Sequence, residues 1–171
     1  MNVRLLTASV VVGSLLGVPN IAGADRKSIT DSQTDATPNS ADIISARVDH
    51  TDDGKLRHTV KFDAPVDGSG EGQILLQFNL DADRSCEREF IWPPSGDTDM
   101  IRCGIGPSDR SGTISKPRPN TLRFVFRKSA LSSPDRYGWR VITKKCGGKC
   151  PLIDAAPNQN GDNPVYVRHN L

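Results

Sequence analysis

Residues 73–83 read QILLQFNLDAD. Ile74, Leu76, Phe78 and Leu80 alternate with Gln73, Leu75, Gln77 and Asn79, the two-residue period of a β-strand with one face in a core. The strand runs into two acids, Asp81 and Asp83, and three residues later into Cys86. One segment therefore combines the strongest core strand, a compact acidic pair at a strand end, and a half-cystine candidate.

Upstream, DIISARVDH (42–50) places Ile44, Ala46 and Val48 on one face, and Asp52-Asp53-Gly54 is a tight-turn signal. KLRHTVKF (55–62) follows, with Leu56, His58, Val60 and Phe62 on one side. Downstream come EREFIW (87–92), stopped by Pro93-Pro94, then MIRCGI (100–105) and a brief strand at 112–115. A turn over KPRPN (116–120) leads to TLRFVFRK (121–128) and DRYGWRVITK (135–144). After a polar loop at 154–157, a short strand is expected at 165–168. No segment of ten or more residues has helical apolar spacing. Short strands divided by Gly, Pro and Asp turns predict an all-β chain, an antiparallel β-sandwich of immunoglobulin or jelly-roll type with about eight to ten strands. A β-barrel is the structural alternative.

The first 24 residues have the layout of a secretory signal: Arg4, an apolar run from Leu5 to Val18 too short to span a bilayer, and Ala22-Gly23-Ala24 as cleavage site. Residues 25–40 are polar, with Ile29 the lone large apolar side chain, and are expected to be a disordered leader. Residues 41–171 suit one domain. The expected location is secreted, with no membrane span after cleavage. The chain carries +2, and loss of Arg4 leaves about +1, so neither nucleic acid nor anionic membrane is steered toward it. Aromatics are 5% of the residues, too few for a broad base-stacking platform.

Four cysteines, Cys86, Cys103, Cys146 and Cys150, remain after cleavage, an even count that reads as disulfides in an exported chain. Of the three pairings, Cys86–Cys103 with Cys146–Cys150 is preferred, because the second closes a turn containing Gly147 and Gly148. The spacing is not that of a zinc knuckle.

For chemistry, His58 reads as a core or edge strand residue and His50 as part of a solvated turn, and His169 lies near the end of the sequence. No nucleophile elbow, zinc-protease helix or P-loop occurs. Asp81, Asp83, Glu87 and Glu89 are close enough in sequence to raise a carboxylate-dependent glycoside hydrolase as a lesser alternative. Metal binding is the better use of these acids: Asn79, Asp81 and Asp83 share one strand face, and their oxygens suit Ca²⁺. Asp42 and Asp154 are the candidates to join them from a distance. Trp92, beside Pro93-Pro94, and Trp139 are the candidates for sugar contact. Arg47, Arg57, Lys61, Arg123, Arg127 and Arg140 fall on outward positions, a basic face suited to acidic glycans or simply to solvent.

DIISARVDH, KLRHTVKF, the L-D-A-D at 80–83, NTLRFVF (120–126) and D-x-A-P (154–157) together resemble small exported actinobacterial β-sandwich proteins similar to the DOMON and family 9 carbohydrate-binding-module-like group. The resemblance implies a sandwich of about eight to ten strands and, in some members, sugar, haem or calcium binding. It sets the aromatic clamp of sugar-binding members against Trp92 and Trp139. The Met/His pair of haem-binding members has no clear match. The expected function is a secreted, non-catalytic binding or accessory protein for glycan or calcium, with no cofactor required. Its partner would be an extracellular glycan or another secreted or envelope protein. The alternative is a protein–protein interaction factor such as an extracellular hydrolase inhibitor.

Overall fold

A computed structural model describes residues 26–31, 41–66, 72–81, 83, 85–92, 100–102, 112–132, 134–145, 151–157 and 165–171. Its strands are β1 (Lys27–Thr30), β2 (Ile43–His50), β3 (Leu56–Phe62), β4 (Gly72–Asn79), β5 (Arg88–Trp92), β6 (Met100–Arg102), β7 (Gly112–Arg118), β8 (Thr121–Phe126), β9 (Arg136–Lys145), β10 (Leu152–Ala156) and β11 (Val167–Asn170). Among the described residues a single 3-10 turn, Lys128–Leu131, is the only helical element. The strands make two antiparallel sheets. One has the order β1-β2-β3-β8-β7, the other β10-β9-β4-β5-β6, with β11 also paired to β9. The two sheets pack face to face as an all-β sandwich, as the strand pattern predicts.

The opening stretch becomes β4, and its alternation is kept. Ile74, Leu76 and Phe78 enter the inter-sheet core, with Leu80 at its margin. The other face is not wet, however. Leu75 is buried with Ile142 and Ala155 in a second apolar cluster on the outer side of the sheet. Strand β4 lies between β9 and β5 and is covered on both faces, which accounts for an apolar Leu75 among its outer residues.

Several elements depart from the sequence expectation for local reasons. In β2 the register shifts between Ile43 and Ser45, so Ile43 rather than Ile44 turns fully inward. The backbone N–H of Ile43 is taken up by Asp154 Oδ2 at 2.7 Å. Residues 154–156, expected as loop, lie in β10, paired to the second half of β9. Lys27–Thr30, inside the polar stretch expected to be disordered, pairs with β2 because Ile29 has a buried seat there. Strand β7 runs on through Lys116 and Pro117, an edge position where a bulge between Ser115 and Arg118 tolerates the missing N–H. The expected signal, residues 1–24, and the rest of the leader, residue 25 and 32–40, lie outside the described residues. Cys103, Cys146 and Cys150 do so too. Cys86, just before β5, is described and is not a free thiol.

The hairpin expected at 52–54 forms, with Gly54 at φ 73 and Thr51 N–H donating to the Lys55 carbonyl at 2.8 Å. A second close approach involves Gly112 on β7. A Cβ there would lie 2.5 Å from Phe90 Cζ and 3.1 Å from the Val125 carbonyl. The Phe90 ring therefore occupies the space that a side chain would take.

The core's unusual member is His58 on β3, fully buried. Its ring stacks on Phe126 with centroids 5.6 Å apart and meets Trp139 edge-on at 4.8 Å. Phe78 of β4 approaches at 5.6 Å, and Nε2 lies 2.9 Å from the Tyr137 hydroxyl in a hydrogen bond. The titratable groups facing it are Tyr137 of β9 and His169 of β11. Burial first, and the His169 ring second, push His58 well below the usual imidazole range.

Two measurements follow from this packing. Gly112→Val forces Phe90 or the β7 backbone aside and should cost about 1–3 kcal/mol in urea unfolding. A variant of unchanged stability would mean that Phe90 repacks freely. His58 is neutral when folded and takes up a proton when unfolded, so its contribution to stability is complete above its unfolded pKa and declines as pH falls below about 6.5. Urea midpoints should therefore drop between pH 7.5 and 5.5. His58→Gln should flatten that dependence relative to wild type, and an unaltered slope would contradict it.

Candidate functional site

Strand β4 ends at Asn79 and the chain returns as β5 from Arg88, so residues 80–87 form the connection. Asn79 organises it. Its side chain is fully buried; Nδ2 donates to the Ser85 carbonyl at 2.9 Å and to Asp83 Oδ1 at 3.2 Å. Its Oδ1 accepts from Arg168 Nη2 on β11 at 2.8 Å. The acids fold around this anchor. Asp83 Oδ1 also accepts from Ser85 N–H at 2.6 Å, and Asp81 Oδ1 accepts from Asp83 N–H at 3.2 Å. Glu87 Oε2 accepts from Leu80 N–H at 2.7 Å, and its other oxygen accepts from the Ser85 hydroxyl.

The outcome is that Asp81, Asp83 and Glu87 each present a carboxylate oxygen, all within 4.8 Å of one another. Asp81 and Asp83 are exposed and Glu87 half-buried. The hydrogen bonds from Ser85 hold the Asp83 carboxyl below the usual carboxylate range, so it is ionised at neutral pH. Oxygens on the shell of one Ca²⁺ stand about 2.3–2.6 Å from the ion and hence up to about 5 Å from each other. An all-oxygen, all-anionic set at this spacing fits a hard cation, and it contains no soft ligand that would favour zinc or copper.

Of the residues singled out in the sequence, the structure brings Asp81 and Asp83 together and adds Glu87. It does not bring Asp42 or Asp154 to them. Asn79 stands opposite Gly138 on β9, whereas Asp154 stands opposite Thr143. Five residues of strand separate the two positions by about 17 Å. Asp154 is buried and employed in backbone support, accepting from Ile43 and from its own neighbour Ala155. Asp42 is buried beside Asp63, whose Oδ1 takes the Asp42 N–H at 2.9 Å.

The aromatic pair separates in the same way. Trp139 is 0% exposed, wedged against His58, and offers no face to a ligand outside the molecule. Its alternation with Tyr137 and Val141 marks it as core. Trp92 is half-buried at the end of β5, opposite Ile74 and thus at the far end of β4 from the acids. Glu89 is also occupied: buried, it accepts from Gln77 Nε2 at 2.8 Å. Gln77 in turn accepts from Arg140, whose guanidinium sits 5.0 Å over the Tyr166 ring. Arg140 is outward, as its strand position predicts, yet it is buried.

Sequence reasoning missed one grouping. All three histidines meet at one end of the core: His50 and His169 have centroids 5.6 Å apart, and Tyr137 lies 5.5 Å from His169 and bonds His58. The available signal was the hairpin, which sets His50 opposite Leu56 and His58 opposite Val48 on the same inward face. The pairing of β11 with β9, which brings in His169, has no local signature.

Comparison with protein-family models, with curated proteins and with solved structures finds no match. The site's reading therefore rests on its own residues. Asn79→Ala removes both donors from the 80–87 connection and the acceptor for Arg168. It should lower stability by about 1–3 kcal/mol, seen as a lower urea midpoint at constant m-value. An unchanged midpoint would show that the connection is held without it.

Proposed function

We propose that this protein is an exported, non-catalytic β-sandwich binding module, disulfide-stabilised, that takes up Ca²⁺ on the connection between β4 and β5. The observation that carries the reading is the approach of the Asp81, Asp83 and Glu87 oxygens to within 4.8 Å of one another. The buried Asn79 and the Ser85 backbone support it, because they hold the acids in place before any ion arrives, which lowers the ordering cost of binding. Calcium sites on extracellular modules work at millimolar ion, so a shallow site with three carboxylates is adequate. The signal-like leader and the resemblance to the DOMON and family 9 carbohydrate-binding-module-like group point the same way.

The roles of the other polar groups favour binding over hydrolysis. His58 is held neutral in an aromatic cage, and Glu89 is committed to Gln77. Cys86 fits the first half of a bridge to Cys103 that would fasten the excursion after β5. Non-reducing peptide mapping should recover Cys86 with Cys103, and recovery of Cys86 with Cys146 or Cys150 would replace that pairing.

The calcium reading is tested by thermal unfolding. At free Ca²⁺ about ten times Kd, preferential binding to the folded state is worth about 1.4 kcal/mol, or roughly 5 °C in a domain of this size. The rise should vanish in Asp81→Ala/Asp83→Ala, and Mg²⁺, which dehydrates reluctantly, should give less. No shift at millimolar Ca²⁺ would sink the proposal.

A further inference from the structure

The outer face of the five-stranded sheet is chemically unlike the rest of the molecule. Strand pairing sets Ser28, Arg47, Thr59, Arg123 and Ser115 side by side in one transverse row. The adjoining rows carry Lys61 opposite Thr121 on one side and Arg57 between Asp49 and Val125 on the other. Across five strands the row spans about 19 Å, and Arg57 to Lys61 covers about 14 Å along β3. These rows are therefore made of Ser, Thr and cations with Val125, and Asp49 is the one acid among their described residues.

Asp49 does not neutralise the field. Its carboxylate pairs with Arg57 Nε at 2.6 Å and reaches Arg47 Nε at 3.7 Å. Lys61 and Arg123 make no ion pair among the described residues, and Arg47 keeps 47% of its side chain exposed. At the centre of the row, Thr59 is 6% exposed and its hydroxyl has no hydrogen-bond partner among the described residues. Arg123 Nε, directly across the strand pair, has none either. Both atoms are withdrawn from solvent, so the groups of this face open to a ligand are those of the exposed Ser28, Arg47, Lys61 and Ser115. The converging acids Asp81, Asp83 and Glu87 lie on the β4–β5 connection of the other sheet, away from these rows.

We infer that this face is a docking surface for an extended polyanionic glycan bearing sulfate or carboxylate groups. Guanidinium forks match both anions in bidentate geometry, and the interleaved Ser and Thr hydroxyls match the sugar hydroxyls between them. The described residues of these rows include no aromatic ring, so bases have nothing to stack on. Val125 is their one apolar side chain, too little to enter a membrane interface. The inference rests on the binding-module reading but not on its calcium site, which is on the opposite sheet.

The test is a titration of the full exported chain with dextran sulfate and with polygalacturonate at low ionic strength. Neutral dextran, oligothymidylate and phosphatidylserine vesicles serve as comparisons. Binding to either anionic glycan that weakens with salt and exceeds binding to the other three probes is expected, and the better of the two identifies the anion. Arg47→Ser and Arg123→Ser should each weaken it about tenfold, the worth of one charge-assisted hydrogen bond. Lys61→Glu, checked for an unchanged melting temperature, should weaken it further, and Asp81→Ala/Asp83→Ala should leave it intact. The inference is overturned if neither glycan binds, if the three cation variants bind as wild type does, or if oligothymidylate or vesicles bind as tightly. The Ca²⁺ melting shift, read on the same variants, separates failure of this surface from failure of the calcium site.

Discussion

The contact on which the two sheets depend is that of Phe78 with Phe126. Their rings meet edge to face, centroids 5.2 Å apart and planes at 74°, with one ring from each sheet. Phe90 closes on Phe126 at 5.3 Å, and His58 stacks on it at 5.6 Å. Such pairs add about 0.5–1.5 kcal/mol each beyond the area that they bury. Their larger effect is geometric. A wide aromatic layer sets the sheet spacing, and that spacing leaves room for a polar ring, His58, only where Tyr137 supplies a hydrogen bond. Burial keeps the Tyr137 phenol from ionising at any ordinary pH, so it remains a neutral partner.

Much of this was legible in the residues. The period of two in 73–80 placed Ile74, Leu76 and Phe78 inward, and all are buried, as are Phe124, Phe126, Tyr137 and Trp139, which alternate in the same way in 121–126 and 137–141. Alternation is reliable there because a one-residue slip would expose the whole row. It failed at Ile43, where a bulge breaks the period, and at 154–156, where a strand made of Asp and two alanines carries little β signal of its own. It also failed on the outer side of β4. Whether the second face is covered depends on segments remote in sequence, and period alone does not report it.

The candidate site was legible to the same degree and for the same reason. Asp81 and Asp83 lie close together because they are close in the chain. Glu87 joins them because β5 is the antiparallel neighbour of β4, and it was visible only as a nearby acid. Asp42 and Asp154 were grouped with them on residue type alone, and chain topology sends them to the other end of the sandwich. Arg47, Arg57, Lys61 and Arg123 fall on one outward face because β3 and β8 alternate cleanly and the bulge in β2 lies before Arg47. Arg140 was misplaced in that set because it belongs to the second sheet.

The tie from Asp154 Oδ2 to the Ile43 N–H spans 111 residues of chain. It joins the second strand to the tenth and links one sheet's bulge to the other sheet's edge. Loop-closure entropy makes such a contact late, and topologies rich in distant pairings fold in milliseconds to seconds rather than microseconds. Until residue 154 is available, the bulged amide of Ile43 lacks this acceptor, so a partial chain holds that end of the first sheet less firmly.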